Sequence, residues 1–426
     1  MKTIKYMFLL MTLLLAFGAC KEQGRYEIGY GDSQPPDAPV YNGRYKALYG
    51  GARLFYTIPA NEDLLSIDAT YLNPKGEKVW FSVSYFSDSI DVYGFSDTLI
   101  HDVQLYAVDR AGNKSQIVNV AVKPLEPAYS RVANSIIVKP GFFSFFVDWT
   151  NELEQAVNVY ANFTYTKGGQ PAEHNMIYTS SLASDRWFIR DLQVTEPIKV
   201  KVKVEDMYGN ITDYIDMGEI RLLQDELIPK DKWELPEPNF QMGGVAMAYL
   251  QEGEARKDML IDDVIDDGMN VNYVHTGNRG PTGELNVNNL PWNAMIDLGD
   301  KYEISRIITN QRYFNGNSPT TGRGYYYVSP NVAQYNIYIW DETTEEWELI
   351  LDRHIITFPA GLSDLEFMQL GRLGDMAYLY PDDPQFTKPT RWIRYQALLG
   401  FGEGQSSTFN VNCLSEITLY GKKANQ

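Results

Sequence analysis

Between Ile198 and Val204, the apolar residues Ile198, Val200, Val202 and Val204 alternate without a break with Lys199, Lys201 and Lys203. A period of two places one set on each face of an extended chain, so this stretch reads as a β-strand with one dry and one wet face, not as an amphipathic helix. The strand runs into Asp206-Met207-Tyr208-Gly209-Asn210-Ile211-Thr212, a D-x-x-G-N-x-[ST] pattern. The same pattern stands at Asp109 to Ser115, 206 − 109 = 97 residues earlier. Gly and Asn adopt positive φ most cheaply, so each copy reads as the turn of a hairpin. Val103, Leu105 and Ala107 alternate ahead of the first turn, and Val118, Val120 and Val122 supply its returning strand. The Asp of the pattern is either a calcium ligand or a turn residue bonding its own backbone, and the local spacing favours the turn.

A repeat of this length suits an immunoglobulin-like or fibronectin-type sandwich of roughly 100 residues. Two such units are expected, at 38–125 and 126–226, separated by Pro124 to Pro127. Residues 227–239, with Pro229, Trp233 and Pro238, form a linker to the last domain, 240–426. The two units resemble Ig-like spacer domains of surface lipoproteins encoded beside polysaccharide-uptake systems. That resemblance implies a role in holding a terminal binding module away from a membrane.

In the last domain, Val264-Ile265 is followed by Asp266-Asp267-Gly268, and an Asp-Gly pair with Asn270 and Asn272 nearby reads as a loop. Met295 to Gly299 reads as a buried strand entering a turn. Ile304 to Thr309, Tyr335 to Trp340, Trp347 to Leu351, Arg391 to Gln396 and Glu416 to Tyr420 are short runs rich in β-branched and aromatic residues, as strands of an antiparallel sandwich are. No long helical period interrupts them.

Six pieces of this domain, in order, resemble the discoidin-like domains, also called coagulation factor 5/8 type C or galactose-binding-like. Asp267 to Thr276 takes the family's D-G-N-x-x-T-x-W-H-T without gaps, with Met269, Asn272 and Val274 departing from it. The others are Ile296 to Gly299, Ile304 to Ile308, Tyr335 to Ile339, Arg391 to Tyr395 and Leu414 to Gly421. The resemblance implies a jelly-roll sandwich whose loops at one end form a binding face that His275 and Trp292 could join. It also implies a structural Ca2+ held by loop carbonyls with Asp267 and Glu416, Asn272 replacing the family's Thr. The expected fold class is therefore all-β: two Ig/fibronectin-III-like sandwiches followed by a discoidin-like jelly-roll sandwich.

The chain opens with Lys2 and Lys5, an apolar run from Tyr6 to Leu15, and Ala16, Gly18 and Ala19 ahead of Cys20. The run is short for a bilayer span, so residues 1–19 read as a secretory signal. Phe17-Gly18-Ala19-Cys20 resembles a lipobox, which implies acylation of Cys20. Residues 20–37, rich in Gly, Pro and polar residues, would be the lipidated tether. The expected location is the outer membrane, lipid-anchored and facing out. Cys413, the second of two cysteines, then has no partner within the chain and reads as a small buried hydrophobe.

The formal net charge of −18 argues against nucleic acid, whose backbone calls for clustered Lys and Arg. Zinc-protease, redox, serine-hydrolase and phosphate-loop motifs are absent, and the only His are His101, His174, His275 and His354. Asp262-Asp263, Asp266-Asp267 and Asp382-Asp383 read as loop or helix-terminal charges, and three domains leave no room for a catalytic one. No catalytic residue and no catalytic cofactor is expected. Sugar recognition needs aromatic rings beside planar hydrogen-bonding groups. Tyr313 to Tyr327 has that composition, with Arg312, Asn317 and Arg323 as donors and Tyr313, Tyr325, Tyr326 and Tyr327 as rings. An ordered loop packing its tyrosines on the sandwich fits the composition equally. Phe401 to Asn412 is the second candidate loop. The expected function is glycan capture by a surface lipoprotein. The alternatives are a structural or adhesive lipoprotein contacting another surface protein, such as an outer-membrane glycan-uptake complex, and third, a carbohydrate-active enzyme.

Overall fold

The computed structural model describes residues 34–238, 240–250, 255–276, 290–313, 326–328, 331–357, 361–401 and 412–425. Alternating burial makes the first sandwich from two sheets. One joins β1 (Val40–Leu48), β2 (Gly51–Thr57) and β5 (Ser89–Tyr93). The other runs in the order β4 (Lys78–Ser84), β3 (Leu64–Leu72), β6 (His101–Asp109) and β7 (Val118–Val122). Leu54, Ile67, Ile90, Val103, Leu105 and Val120 face each other across the gap.

The second sandwich repeats this plan after a short helix, α1 (Ala128–Ser135), that buries Val132 and Ala133. Its three-stranded sheet is β8 (Ile137–Gly141), β9 (Ser144–Thr150) and β12 (Ser184–Ile189). Its four-stranded sheet has the order β11 (Gln170–Ser180), β10 (Val157–Lys167), β13 (Ile198–Asp206) and β14 (Ile215–Ile220). On β13 the valines are buried, while Lys199 and Lys201 are exposed and Lys203 is half-buried. Asp206 caps its own turn, accepting from the backbone N–H of Tyr208 and Asn210 at 2.9 Å each. Asn210 then reaches out of its unit and donates from Nδ2 to the carbonyl of Gly94 at 3.1 Å, so the turn is also the joint to the first sandwich.

The third unit is organised on β19 (Trp292–Asn310), a 19-residue strand. Trp292 to Asp297 pair with β23 (Thr390–Gly400), and Tyr302 to Asn310 pair with β25 (Glu416–Lys423). The change of partner falls at Gly299, whose φ is 75° and where a Cβ would lie 2.5 Å from Lys232. Only glycine fits such a bend. The sheet continues through β20 (Val332–Asp341) to β21 (Glu346–Ile355), with β22 (Asp375–Tyr378) alongside β19. β15 (Glu226–Leu227) adds the linker to the free edge of β25. Two short pairs complete the unit: β16 (Gln241–Met242) with β17 (Val245–Ala246), and β18 (Val274–His275) with β24 (Cys413–Leu414). Every strand run expected in this unit lies within one of these elements. Like α1, a helix among the described residues of this unit was not expected: α2 (Asp364–Leu373), begun by a Ser363–Glu366 capping box and ended at Gly374 with φ 79°.

Second and third units meet over a specific surface. Phe142 lies 5.0 Å from the Phe386 ring and 5.9 Å from that of Tyr378. The Ser144 and Tyr378 hydroxyls share a buried hydrogen bond of 2.8 Å. The molecule is thus nearly all β, a series of sandwiches of which the first two share fibronectin-III-like strand order.

Candidate ligand-binding face

At one end of the third unit, the short β18–β24 pair brings three chain segments together. Thr276 and Asn412 bond through N–H groups at 3.0 Å in both directions. Asn331, fully buried, accepts from the Arg312 N–H and donates to the Arg312 carbonyl, both at 2.9 Å, while its own carbonyl receives the Phe401 N–H at 2.9 Å. One asparagine thereby clamps the exits of β19 and β23 to the entry of β20. On this platform the Arg312 guanidinium lies over the Tyr273 ring, its Cζ 3.7 Å from the centroid. His275 is 5.8 Å from the same ring, and Arg312 Nη1 is 3.7 Å from Cys413 Sγ. Tyr273, His275, Arg312, Tyr313 and Phe401 are all partly exposed. A guanidinium braced on an aromatic face keeps its in-plane donors in a fixed fork, a geometry suited to paired oxygens.

The expected residues divide. Tyr313, partly exposed beside Arg312, packs its ring 5.3 Å from that of Tyr326, while His275 and Arg312 belong to this face. Tyr326 and Tyr327 do not: they are 0% and 7% exposed. The Tyr326 hydroxyl donates to the Asp266 carbonyl at 2.9 Å, and Tyr327, at φ 55°, packs on Phe367 and Phe401. Simple alternation along a pleat fails here because the chain between them is bent, not extended, and the bend sends both rings inward. Trp292 is also corrected. At 4% exposure it opens β19 inside the sandwich, 5.6 Å from Tyr395, and is a core residue. Asn317, Arg323, Tyr325, Cys20 and residues 402–411 lie outside the described residues.

The acidic residues are committed to local partners. Asp267 Oδ1 accepts from the N–H of Met269 at 3.0 Å and of Asn270 at 2.9 Å. Those bonds hold its carboxyl below the usual range. Asn272 turns Nδ2 toward Met259 O at 3.0 Å, Asp262 Oδ1 at 2.8 Å and Val264 O at 2.7 Å. Glu416, on the far strand, meets the Lys230 ammonium. Each of the three thus has a partner within the chain, and among the described residues no three His, Cys, Asp or Glu come together. Burial pushes Asp266 up to about 6, against the pull of the Gly268 N–H and Arg312. Burial also pushes the Cys413 thiol up to about 11, consistent with a packing role.

Tyr273 is the site residue that sequence reasoning passed over. It alternates with Val274 between Asn272 and His275, so its side chain shares a face with His275, a signal that was available.

Models of two domains of unknown function, DUF4959 and DUF5126, match residues 37–124 and 125–227. No curated protein matches the chain. Among solved structures, a SusE-like protein is 19% identical with a TM-score of 0.35, covering 70% of this chain and 100% of its own. CpGH89CBM32-6 from Clostridium perfringens is 13% identical with a TM-score of 0.24, covering 45% and 96%. A two fibronectin type-III domain segment from chicken tenascin is 15% identical with a TM-score of 0.22, covering 43% and 99%. Likeness at this level assigns neither a ligand nor a site.

Proposed function

We propose that this chain is a surface-displayed glycan-binding protein. Its third unit presents the ligand face, its first two sandwiches act as spacers, and Cys20 is the lipid anchor. The observation that carries the reading is the Arg312–Tyr273 stack with His275 beside it, set on the Asn331 clamp. A fixed donor fork, an aromatic wall and an imidazole are the parts that recognise neighbouring hydroxyls of a pyranose. The resemblance of Asp267 to Thr276 and Leu414 to Gly421 to discoidin-like domains supports the same end of the sandwich. Each single contact is weak, because sugar hydroxyls exchange well-bound water for protein donors. Many anchored copies on one polymer would supply avidity.

The test uses the chain from Gln34 onward, which contains every described residue. A glycan array identifies a ligand, and calorimetry then compares Arg312→Ala and Tyr273→Ala with the parent, after circular dichroism has confirmed the fold. Each variant is expected to lose at least tenfold in affinity. Folded variants that bind the identified glycan as the parent does would remove this face from consideration. An array without hits, together with retention of the chain by a purified outer-membrane protein, would favour the adhesive reading.

A further inference from the structure

The calcium that the discoidin-like resemblance implies meets a site whose oxygens are already engaged by the chain itself. Lys230, in the linker between the second and third units, has a side chain only 5% exposed. Its ammonium contacts Glu416 Oε1, lies 2.7 Å from Asp263 Oδ1 and 3.4 Å from Thr418 Oγ1, and sits 5.5 Å from the Trp233 ring. Asp263 takes a positive φ of 62°, uncommon for a residue with a side chain, in the turn that delivers its carboxylate there. The neighbouring oxygens, Met259 O, Val264 O and Asp262 Oδ1, converge on the Asn272 amide. Two carboxylates and convergent carbonyls are what a hard divalent ion binds, at 2.3–2.6 Å. An ammonium between Glu416 and Asp263 and a divalent cation there exclude each other by volume and by like charge.

We infer that the Lys230 ammonium, with the Asn272 amide, replaces the metal ion: the third unit carries its own covalently attached cation and folds without calcium. The consequence reaches beyond the domain. β15 pairs with β25, Ile228 N–H bonds Leu419 O at 3.0 Å, and Lys230 continues the attachment to Glu416. A metal would close the sandwich alone, whereas this cation also ties the interdomain linker to the last strand. Glu416 Oε2 is buried with no donor among the described residues, so removing Lys230 leaves carboxylate oxygens open to an added cation.

The experiment measures melting of the chain from Gln34 onward in excess chelator and in millimolar calcium chloride, with sodium chloride matching the ionic strength. The parent is expected to melt at one temperature in both and to show no saturable calcium heat in calorimetry. Lys230→Ala is expected to melt roughly 10 °C lower in chelator, and calcium should raise it by several degrees. Lys230→Arg should keep most of the stability and show no calcium response. A parent that melts lower in chelator or binds calcium saturably overturns the inference, and that measurement stands even if Lys230→Ala fails to fold. A Lys230→Ala protein with unchanged melting, or with lowered melting that calcium leaves alone, overturns it as well.

Discussion

Asp225→Ala is the substitution that most directly tests how the third unit is fastened to the chain before it. Asp225 follows the second sandwich, and its side chain is 0% exposed. Arg306 of β19 donates to it twice, from Nε at 2.8 Å and Nη2 at 2.9 Å, and Ser305 Oγ donates at 2.6 Å. The guanidinium also lies 4.1 Å over the Tyr420 ring. Losing one partner of a buried, hydrogen-bonded pair costs about 3–5 kcal/mol. Two features lower that figure here. Arg306 is 18% exposed and can regain water, and the Ser305 hydroxyl can turn its one proton to Tyr420 O, 2.9 Å away. About 2–3 kcal/mol remains, which in a unit of this size shifts melting by roughly 5–10 °C. Differential scanning calorimetry locates the effect, because the loss should fall on the transition of the third unit. A double-mutant cycle with Arg306→Ala should return a coupling of about 2 kcal/mol. A shift below about 1 °C, or strictly additive single variants, would refute the claim that this pair holds the linker to β19.

Two further outcomes are expected. Gly371→Ala, which in an open helix would stabilise by about 1 kcal/mol, should instead destabilise the third unit, because the new Cβ falls 2.0 Å from the Tyr326 ring. Unchanged or raised melting would show that Tyr326 is not held in the core. Cys413, whose thiol burial raises to about 11, should be alkylated at pH 8 about 200-fold more slowly than free cysteine. Since the thiolate is the reactive form, its rate should climb about tenfold per pH unit toward that value while the fold persists. Mass spectrometry of the chain from Gln34 onward, which has no other cysteine, reads this directly, and labelling at the free-cysteine rate would contradict the burial.

What the sequence determined by itself was whatever repeats locally. Ile198 to Val204 specifies a half-buried strand because side-chain facing follows from chain geometry alone. The D-x-x-G-N turns were legible for the same reason, since Asp206 bonds the N–H of Tyr208 and Asn210 within its own loop. Arg312 and Tyr313 were legible as site candidates because they border a turn-rich segment and have the right chemistry, and His275 through the discoidin-like pattern of Asp267 to Thr276. Tertiary structure decided the rest. That Arg312 stacks on Tyr273, 39 positions earlier in the chain (312 − 273), depends on the pairing of β18 with β24. That Tyr326 and Tyr327 point inward depends on backbone bends that no alternation rule contains, and Trp292 became core because β23 pairs against it. The meeting of Lys230 with Glu416, 186 residues apart, is of the same kind. Side-chain periodicity propagates along a chain, but the partner of a charge is chosen by which strands become neighbours, and that choice belongs to the whole packed sheet.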